Sequence, residues 1–155
     1  MVHLVYCDNA GKKGERSLDR ILTGKKTMVV RGAAGRKIPH SRVSVGDTLY
    51  FMEKGTASVA AMATVTSVEN YVKLSESDIN RIFDENADKL ALTEKQRERW
   101  HKKCLCLVGF AGVQALVPAL EFEKQNNMDD WLILEKIEDV LVGTSIPYNY
   151  DNAKF

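Results

Sequence analysis

The sequence predicts an α+β domain, rich in β-structure and interrupted by a helical insert. Three observations lead there. Short β-forming runs bounded by turn residues fill residues 2–68 and return after residue 104. Between them, over about residues 75–103, the apolar period changes from two to that of a helix. The 155 residues suit one domain able to bury its own core, and we read 1–155 as a single domain.

The elements follow in order. Val2–Cys7 is rich in β-formers and ends at the turn cluster Asp8-Asn9-Ala10-Gly11. Ser17 is placed to cap a short helix whose stripe is Leu18, Ile21 and Leu22, and Gly24 is a natural stop. Thr27–Arg31 reads as a strand, followed by the loop Gly32-Ala33-Ala34-Gly35 and the basic Arg36-Lys37-Ile38-Pro39-His40. Val45-Gly46-Asp47 is a turn before the strand Thr48–Glu53, and Lys54-Gly55 turns into a long strand, Ser58–Val68. We expect these three strands to form a meander. Ser75 with Asp78, and Thr93 with Gln96, open two amphipathic helices; the second pair has capping-box spacing. Cys104–Phe110, residues 114–122 and Trp131–Ile137 are expected as three more strands, with Tyr148–Phe155 as a polar tail.

Composition excludes several classes. At 45% hydrophobic and 28% charged residues, the chain is neither disordered nor collagen-like. Three cysteines cannot form a disulfide framework, which fits a reducing compartment. No apolar run approaches the ~18 residues of a membrane helix, and the first residues do not resemble a signal peptide, so a cytoplasmic protein with no membrane partner is expected. His101, Cys104 and Cys106 lie close together but lack paired zinc-ligand spacing, and buried thiols in an apolar strand explain them better. Gly32–Lys37 lacks the Gly-x4-Gly-Lys-Ser/Thr spacing of a nucleotide-hydrolysing loop, leaving only a plain anion contact. No metal and no cofactor are expected.

The net charge of +1 hides an asymmetry. Residues 1–68 carry 11 Lys/Arg and 5 Asp/Glu, and from Arg20 to Gly46 there are seven bases and no acid. If those side chains share a face they draw polyanions; alternatively they are spread over the surface or pair with the acidic second half. The run Glu121–Asp139, with seven acids and two bases, is read as a solvated face and a possible intramolecular partner.

The most informative stretch is Ile21–Arg31, a helix, a Gly stop, Lys26, then a strand carrying Arg31. It is followed by Val45-Gly46-Asp47 and the small-residue strand Val59–Val65. This order resembles the ASCH branch of the PUA-like superfamily over roughly residues 18–68. Gly24, Lys26 and Arg31 fall on three positions of its Gly-x-Lys-x-x-Glu-x-Arg pattern, while the Glu position is Val29. The resemblance implies a small, mostly antiparallel PUA-like β-barrel with flanking helices and a ligand cleft beside the first helix and strand. The function it implies is RNA or modified-nucleotide binding. One ASCH branch hydrolyses acetylcytidine with the lysine and a threonine two residues beyond its Lys-Thr pair. This chain is similar to it at Lys26 and Thr27 but has Val29 at the threonine's place. The basic loop before Val45 is loosely similar to that of EVE domains, whose aromatic residues have no match here.

From the residues themselves, strand alternation sets Thr27, Val29 and Arg31 on one face and Met28 and Val30 on the other. We expect Met28 and Val30 to face the core. Lys26 and Arg31 then border a cleft that Arg36, Lys37, His40 and Arg42 close over, with Tyr6, Tyr50 or Phe51 as a stacking surface. Each aromatic is equally explained as core, and Lys26 as a solvated lysine. The leading expectation is a non-catalytic module that binds RNA or a nucleotide. The alternatives are a small hydrolase acting on nucleosides or RNA through Lys26 and Thr27, or a protein-interaction domain using the acidic half and the insert.

Overall fold

A computed structural model describes residues 1–125 and 130–148. Six strands form one sheet in the order β2-β5-β4-β3-β1-β6: β1 (Val2–Cys7), β2 (Met28–Ala33), β3 (Thr48–Glu53), β4 (Ser58–Tyr71), β5 (Cys104–Glu121) and β6 (Trp131–Leu134). Four of the five strand pairs are antiparallel and one, β1 with β3, is parallel. The sheet curls into a half-barrel. Helix α1 (Ser17–Leu22) precedes β2, and the insert holds α2 (Glu76–Glu85), α3 (Ala87–Leu90) and α4 (Glu94–Trp100).

Alternation along the strands sorts the apolar residues into three groups. The inner face of the half-barrel collects Val5, Cys7, Val29, Leu49, Phe51, Ala61, Val65, Cys106, Val108 and Phe110, with Ile21 of α1. The small residues Ala61 and Ala63 leave room there for Phe51 and Phe110, whose rings lie 5.1 Å apart. Beneath β1 and β6, Leu4, Met52, Leu132 and Leu134 pack on Ile137 and Val140 of a terminal 3-10 turn. The insert supplies the third group: Ile79, Ile82, Phe83 and Leu90 cover Met28, Val30, Leu105 and Leu107 on the outside of β2 and β5.

Both expected helix starts in the insert form. The Ser75 hydroxyl accepts from the Asp78 N–H at 3.2 Å, and the Thr93 hydroxyl accepts from the Gln96 N–H at 3.2 Å. Gly24, at φ +80, ends α1 in a left-handed conformation that glycine adopts without a Cβ penalty.

Several expectations are corrected. The meander is only half present: β3 and β4 form a hairpin, but β2 pairs with β5 and β3 with β1. Residues 34–47 carry the chain from one side of the curl to the other, so sequence order is not pairing order. The strands expected at 104–110 and 114–122 are one strand, β5, whose pairing with β4 shifts register three times and passes Gly112 at φ +68. These irregularities bend a strand without ending it, although in sequence they read as a turn. Trp131–Ile137 is a strand only to Leu134. The insert has three helical segments rather than two. Ser17 lies inside α1, and the Asp19 carboxylate instead accepts the N–H groups of Gly14 and Arg16. Leu22 is exposed, because a helix this short meets the sheet through Leu18 and Ile21 alone. Tyr148 packs against the second cluster and accepts from the Ile133 N–H at 3.1 Å; residues 149–155 lie outside the described part.

Candidate ligand site

The edge strands β2 and β6 are not hydrogen-bonded to each other. The curl brings them near, and the seam between them is filled by side chains. Arg31 from β2 is central. Its guanidinium carbon lies 5.0 Å from the Trp100 ring centroid and 5.7 Å from that of Trp131. Its two terminal nitrogens donate to the carbonyls of Val30 and Tyr6, each at 2.9 Å, and its buried Nε has no hydrogen-bond partner among the described residues. Strand alternation does put Arg31 on the Val29 face, but that is the inner face. Met28 and Val30 are buried too, under the insert, so β2 has core on both sides.

Two adjoining cavities flank Arg31. The first, about 150 Å³, is lined by Arg31, Lys37, His40, Arg99, Asp130 and the two tryptophans, among others. The second is narrower, about 30 Å³, and adds Tyr6, Asp8, Lys26 and Gln96. Arg31, Arg99, Trp100 and Asp130 belong to both.

The buried Gln96 ties helix α4 to Asp8 and to α1. The Gln96 side-chain oxygen accepts from the Thr93 N–H at 2.9 Å and from Arg20 at 3.3 Å; its amide donates to Asp8 at 2.8 Å and to Ser17 at 3.1 Å. Gly32 lets α4 approach: a Cβ there would lie 2.7 Å from the Trp100 carbonyl and 2.9 Å from a Leu105 methyl. Trp131 is held from behind. Its indole N–H donates to His3 Nδ1 at 3.0 Å, and His3 Nε2 bonds the Asp47 carboxylate at 2.8 Å. Nδ1 is an acceptor here, so the neutral ring carries its proton on Nε2. Burial lowers the His3 pKa, outweighing the hydrogen bond and charge of Asp47. The Val45-Gly46-Asp47 turn thus reaches the site wall through His3.

The charges in the seam are perturbed. Lys26 is 4% exposed and donates to the Leu90 carbonyl. Burial first, and the neighbouring Arg31 charge second, bring its pKa down to about 7. Burial pushes the Cys7 thiol up to about 12 against the pull of Arg31 and Lys26. Asp130 accepts from Arg99 at 2.6 Å and from Lys54 at 3.1 Å. Burial alone would raise its pKa, but the Lys54 hydrogen bond and the charges of Lys54, Arg31 and Arg99 hold it below the usual carboxylate range.

Of the residues singled out in the sequence, Tyr6, Lys26, Arg31, Lys37 and His40 line these cavities. Tyr6 lies with its ring edge-on to Phe122 at 5.9 Å, while its carbonyl holds Arg31. His40 is buried, bonded to the Ser41 hydroxyl at 2.8 Å and the Tyr71 carbonyl at 3.1 Å. Thr27 is exposed, and Arg36, Arg42 and Thr27 line neither cavity. Phe51 is core, and Tyr50 packs against the second cluster. Cys104 and Cys106 are buried thiols, and the His101 ring rests 6.4 Å from that of Phe83. Trp100, Trp131, Gln96, Arg99 and Asp130 were not anticipated. The only signal was that the chain has two tryptophans, 31 positions apart; nothing local says that they meet.

No family model matches the chain, and no curated protein matches it. Solved structures do. The crystal structure of ASCH from Zymomonas mobilis superposes with a TM-score of 0.53 at 14% identity, covering 74% of this chain and 69% of that one. Two single-substitution variants of the same protein give the same TM-score and identity, with 70% and 71% of their chains covered. At that identity the likeness speaks for architecture alone: the chain has the α+β, PUA-like fold of an ASCH domain, as residues 18–68 led us to expect.

Proposed function

We propose that the protein is a non-catalytic binding module that takes one nucleotide of an RNA, or a modified nucleotide, into the seam beside Arg31. One observation carries this reading. A guanidinium lines a cavity beside two tryptophan rings and, among the described residues, is hydrogen-bonded to carbonyls and to no carboxylate. Withdrawing a cation from water with only neutral acceptors is costly unless an anion completes the set. The half-buried Trp100 ring and the guanidinium plane supply stacking surfaces for a base, with the buried Trp131 ring behind them, and the exposed Lys37 adds charge.

The test is binding of a short single-stranded RNA across a salt series. Log affinity is expected to fall linearly with log salt at about −0.7 per phosphate contacted. Lys37→Gln is expected to weaken binding and shallow that slope by about one contact. Arg31→Lys, which keeps the charge but loses the fork, is expected to weaken binding at every salt concentration. A wild-type protein that binds no RNA at low salt overturns the reading.

A second reading is favoured by Lys26 alone. An amine whose pKa is brought down to about 7, inside a cavity, is partly neutral near pH 7 and able to act as a base or nucleophile. Thr27, its expected helper, is exposed and outside that cavity. Hydrolysis of N4-acetylcytidine or of short RNA by the wild type, abolished in Lys26→Met, supports this reading; equal turnover in both removes Lys26 from the chemistry.

A further inference from the structure

Among the described residues, one carboxylate, Asp130, lines the wider cavity of the seam, together with Arg31, Lys37 and Arg99. It sits where three elements converge: Arg99 comes from α4, Lys54 from the β3–β4 turn, and Arg31 from β2. Among the described residues, Asp130 thus pairs with two cations, and a third, Arg31, lines the same cavity. We propose that the Asp130 carboxylate occupies the seat of a ligand phosphate, so that phosphate-bearing ligands bind by displacing it from Arg99 and Lys54. The inference rests on the nucleotide reading above and names the group that is recognised.

The local construction suits such an exchange. The Asp130 main-chain carbonyl is held by the Tyr6 N–H at 3.0 Å, so the backbone is anchored while the side chain needs only a rotation to leave. Its two partners are themselves half exposed, with side-chain accessibilities of 46% for Arg99 and 53% for Lys54, so both follow an incoming oxyanion without unpacking the core. Arg99 also lies over the Trp100 ring at 4.5 Å, which places the seat directly beside an aromatic surface. A phosphodiester replaces the carboxylate charge for charge. A terminal monophosphate brings a second negative charge to a site where, among the described residues, Arg31, Arg99 and Lys54 stand near Asp130. Asp130 then acts as selectivity by competition: a weakly charged ligand cannot displace it, and a phosphate can.

The experiment compares the wild type with Asp130→Asn, which keeps the shape and removes the charge. The probes are the four ribonucleoside 5′-monophosphates, their nucleosides and inorganic pyrophosphate, followed by calorimetry. The expected result is that the monophosphates and pyrophosphate bind Asp130→Asn about tenfold more tightly, while nucleoside affinities stay within about twofold. Asp130→Ser serves as a second variant should the asparagine protein not fold. Anion affinity that is unchanged or weaker in the folded variant overturns the inference and leaves Asp130 a structural tie. The two readings fail separately. Tighter pyrophosphate binding without any nucleotide binding keeps the phosphate seat and removes the nucleotide. Nucleosides and nucleotides that bind alike, with no effect of the substitution, keep the nucleotide and remove the seat.

Discussion

The inside of the half-barrel and its seam are built from the same strands but by opposite rules. Inside, β1, β3, β4 and β5 present an apolar set in which Val5, Leu49, Phe51, Ala61 and Val108 are all fully buried. The seam, a few residues away along β1 and β2, gathers Lys26, Arg31, Arg99 and Asp130 with two tryptophans. The difference follows from pairing. Where strands bond to strands, backbone groups are satisfied and side chains need only fill space. Where β2 and β6 remain unpaired, side chains take over the strand's partners: Arg31 donates to the Tyr6 carbonyl, and an inserted helix closes the gap. The place where the sheet fails to close is thus the place where polar groups can gather under cover.

The sharpest way to separate the two regions is to damage one and watch the other. Phe51→Ala removes a fully buried ring packed on Phe110 and is expected to cost about 3–5 kcal/mol in denaturant unfolding, with RNA affinity of the folded protein unchanged. A loss of affinity matching the loss of stability would mean that the seam is not independent of the core.

Between about pH 7 and 9 the seam answers to pH where the core does not. The Lys26 pKa is lowered on folding, so between about 7 and its unfolded value the unfolded state holds a proton that the native state lacks. Stability therefore rises with pH there, by up to about 1.4 kcal/mol per unit. Above about pH 9 the thiols of Cys7 and Cys106, both pushed up to about 12 by burial, act in the opposite sense, because their stabilising contribution is lost as unfolded thiols ionise. The window that isolates Lys26 is pH 7–9. Lys26→Met is expected to flatten the stability profile in that window, at the cost of the bond to the Leu90 carbonyl. An unchanged profile in the variant would show that Lys26 stays protonated.

Gln96→Ala removes the polar tie from α4 to Asp8 and helix α1. It leaves the Thr93 N–H, Asp8 and Ser17 without that partner and is expected to cost about 1–3 kcal/mol and to weaken RNA binding by loosening Trp100. Melting and binding measured on one preparation check both halves. At the small end, Thr27→Val, on an exposed side chain outside both cavities, is expected to stay within about 0.5 kcal/mol of wild type and to bind RNA equally. A binding defect there would move the site out of the seam.

Much of the fold was readable because its signals are local. The strand Thr48–Glu53, the Gly24 stop and both capping pairs of the insert depend on residues within four positions of each other. What could not be read was pairing. The partner of β2 lies more than 70 residues away, and the Gly112 irregularity imitates a turn although the strand continues. The site divides the same way. Lys26 and Arg31 were found because Lys26 follows a helix stop at the strand entry and Arg31 sits on that strand, both at positions of the ASCH-like pattern. Trp100, Trp131, Gln96 and Asp130 meet them only through the curl and the insert, which leave no spacing to detect. Arg36 and Arg42 carry the same sequence signal as Lys37 but line neither cavity, since a loop has no alternation to say which way a residue turns.

Trp100 and Trp131 are the chain's two tryptophans, and both line the seam, so intrinsic fluorescence reports on it directly. Titration with a single-stranded RNA at low salt is predicted to quench that emission saturably, with the same midpoint as binding measured independently and with the change lost in Arg31→Lys. RNA binding that leaves tryptophan emission untouched, or that survives Arg31→Lys undiminished, would contradict the assignment of the seam as the ligand site.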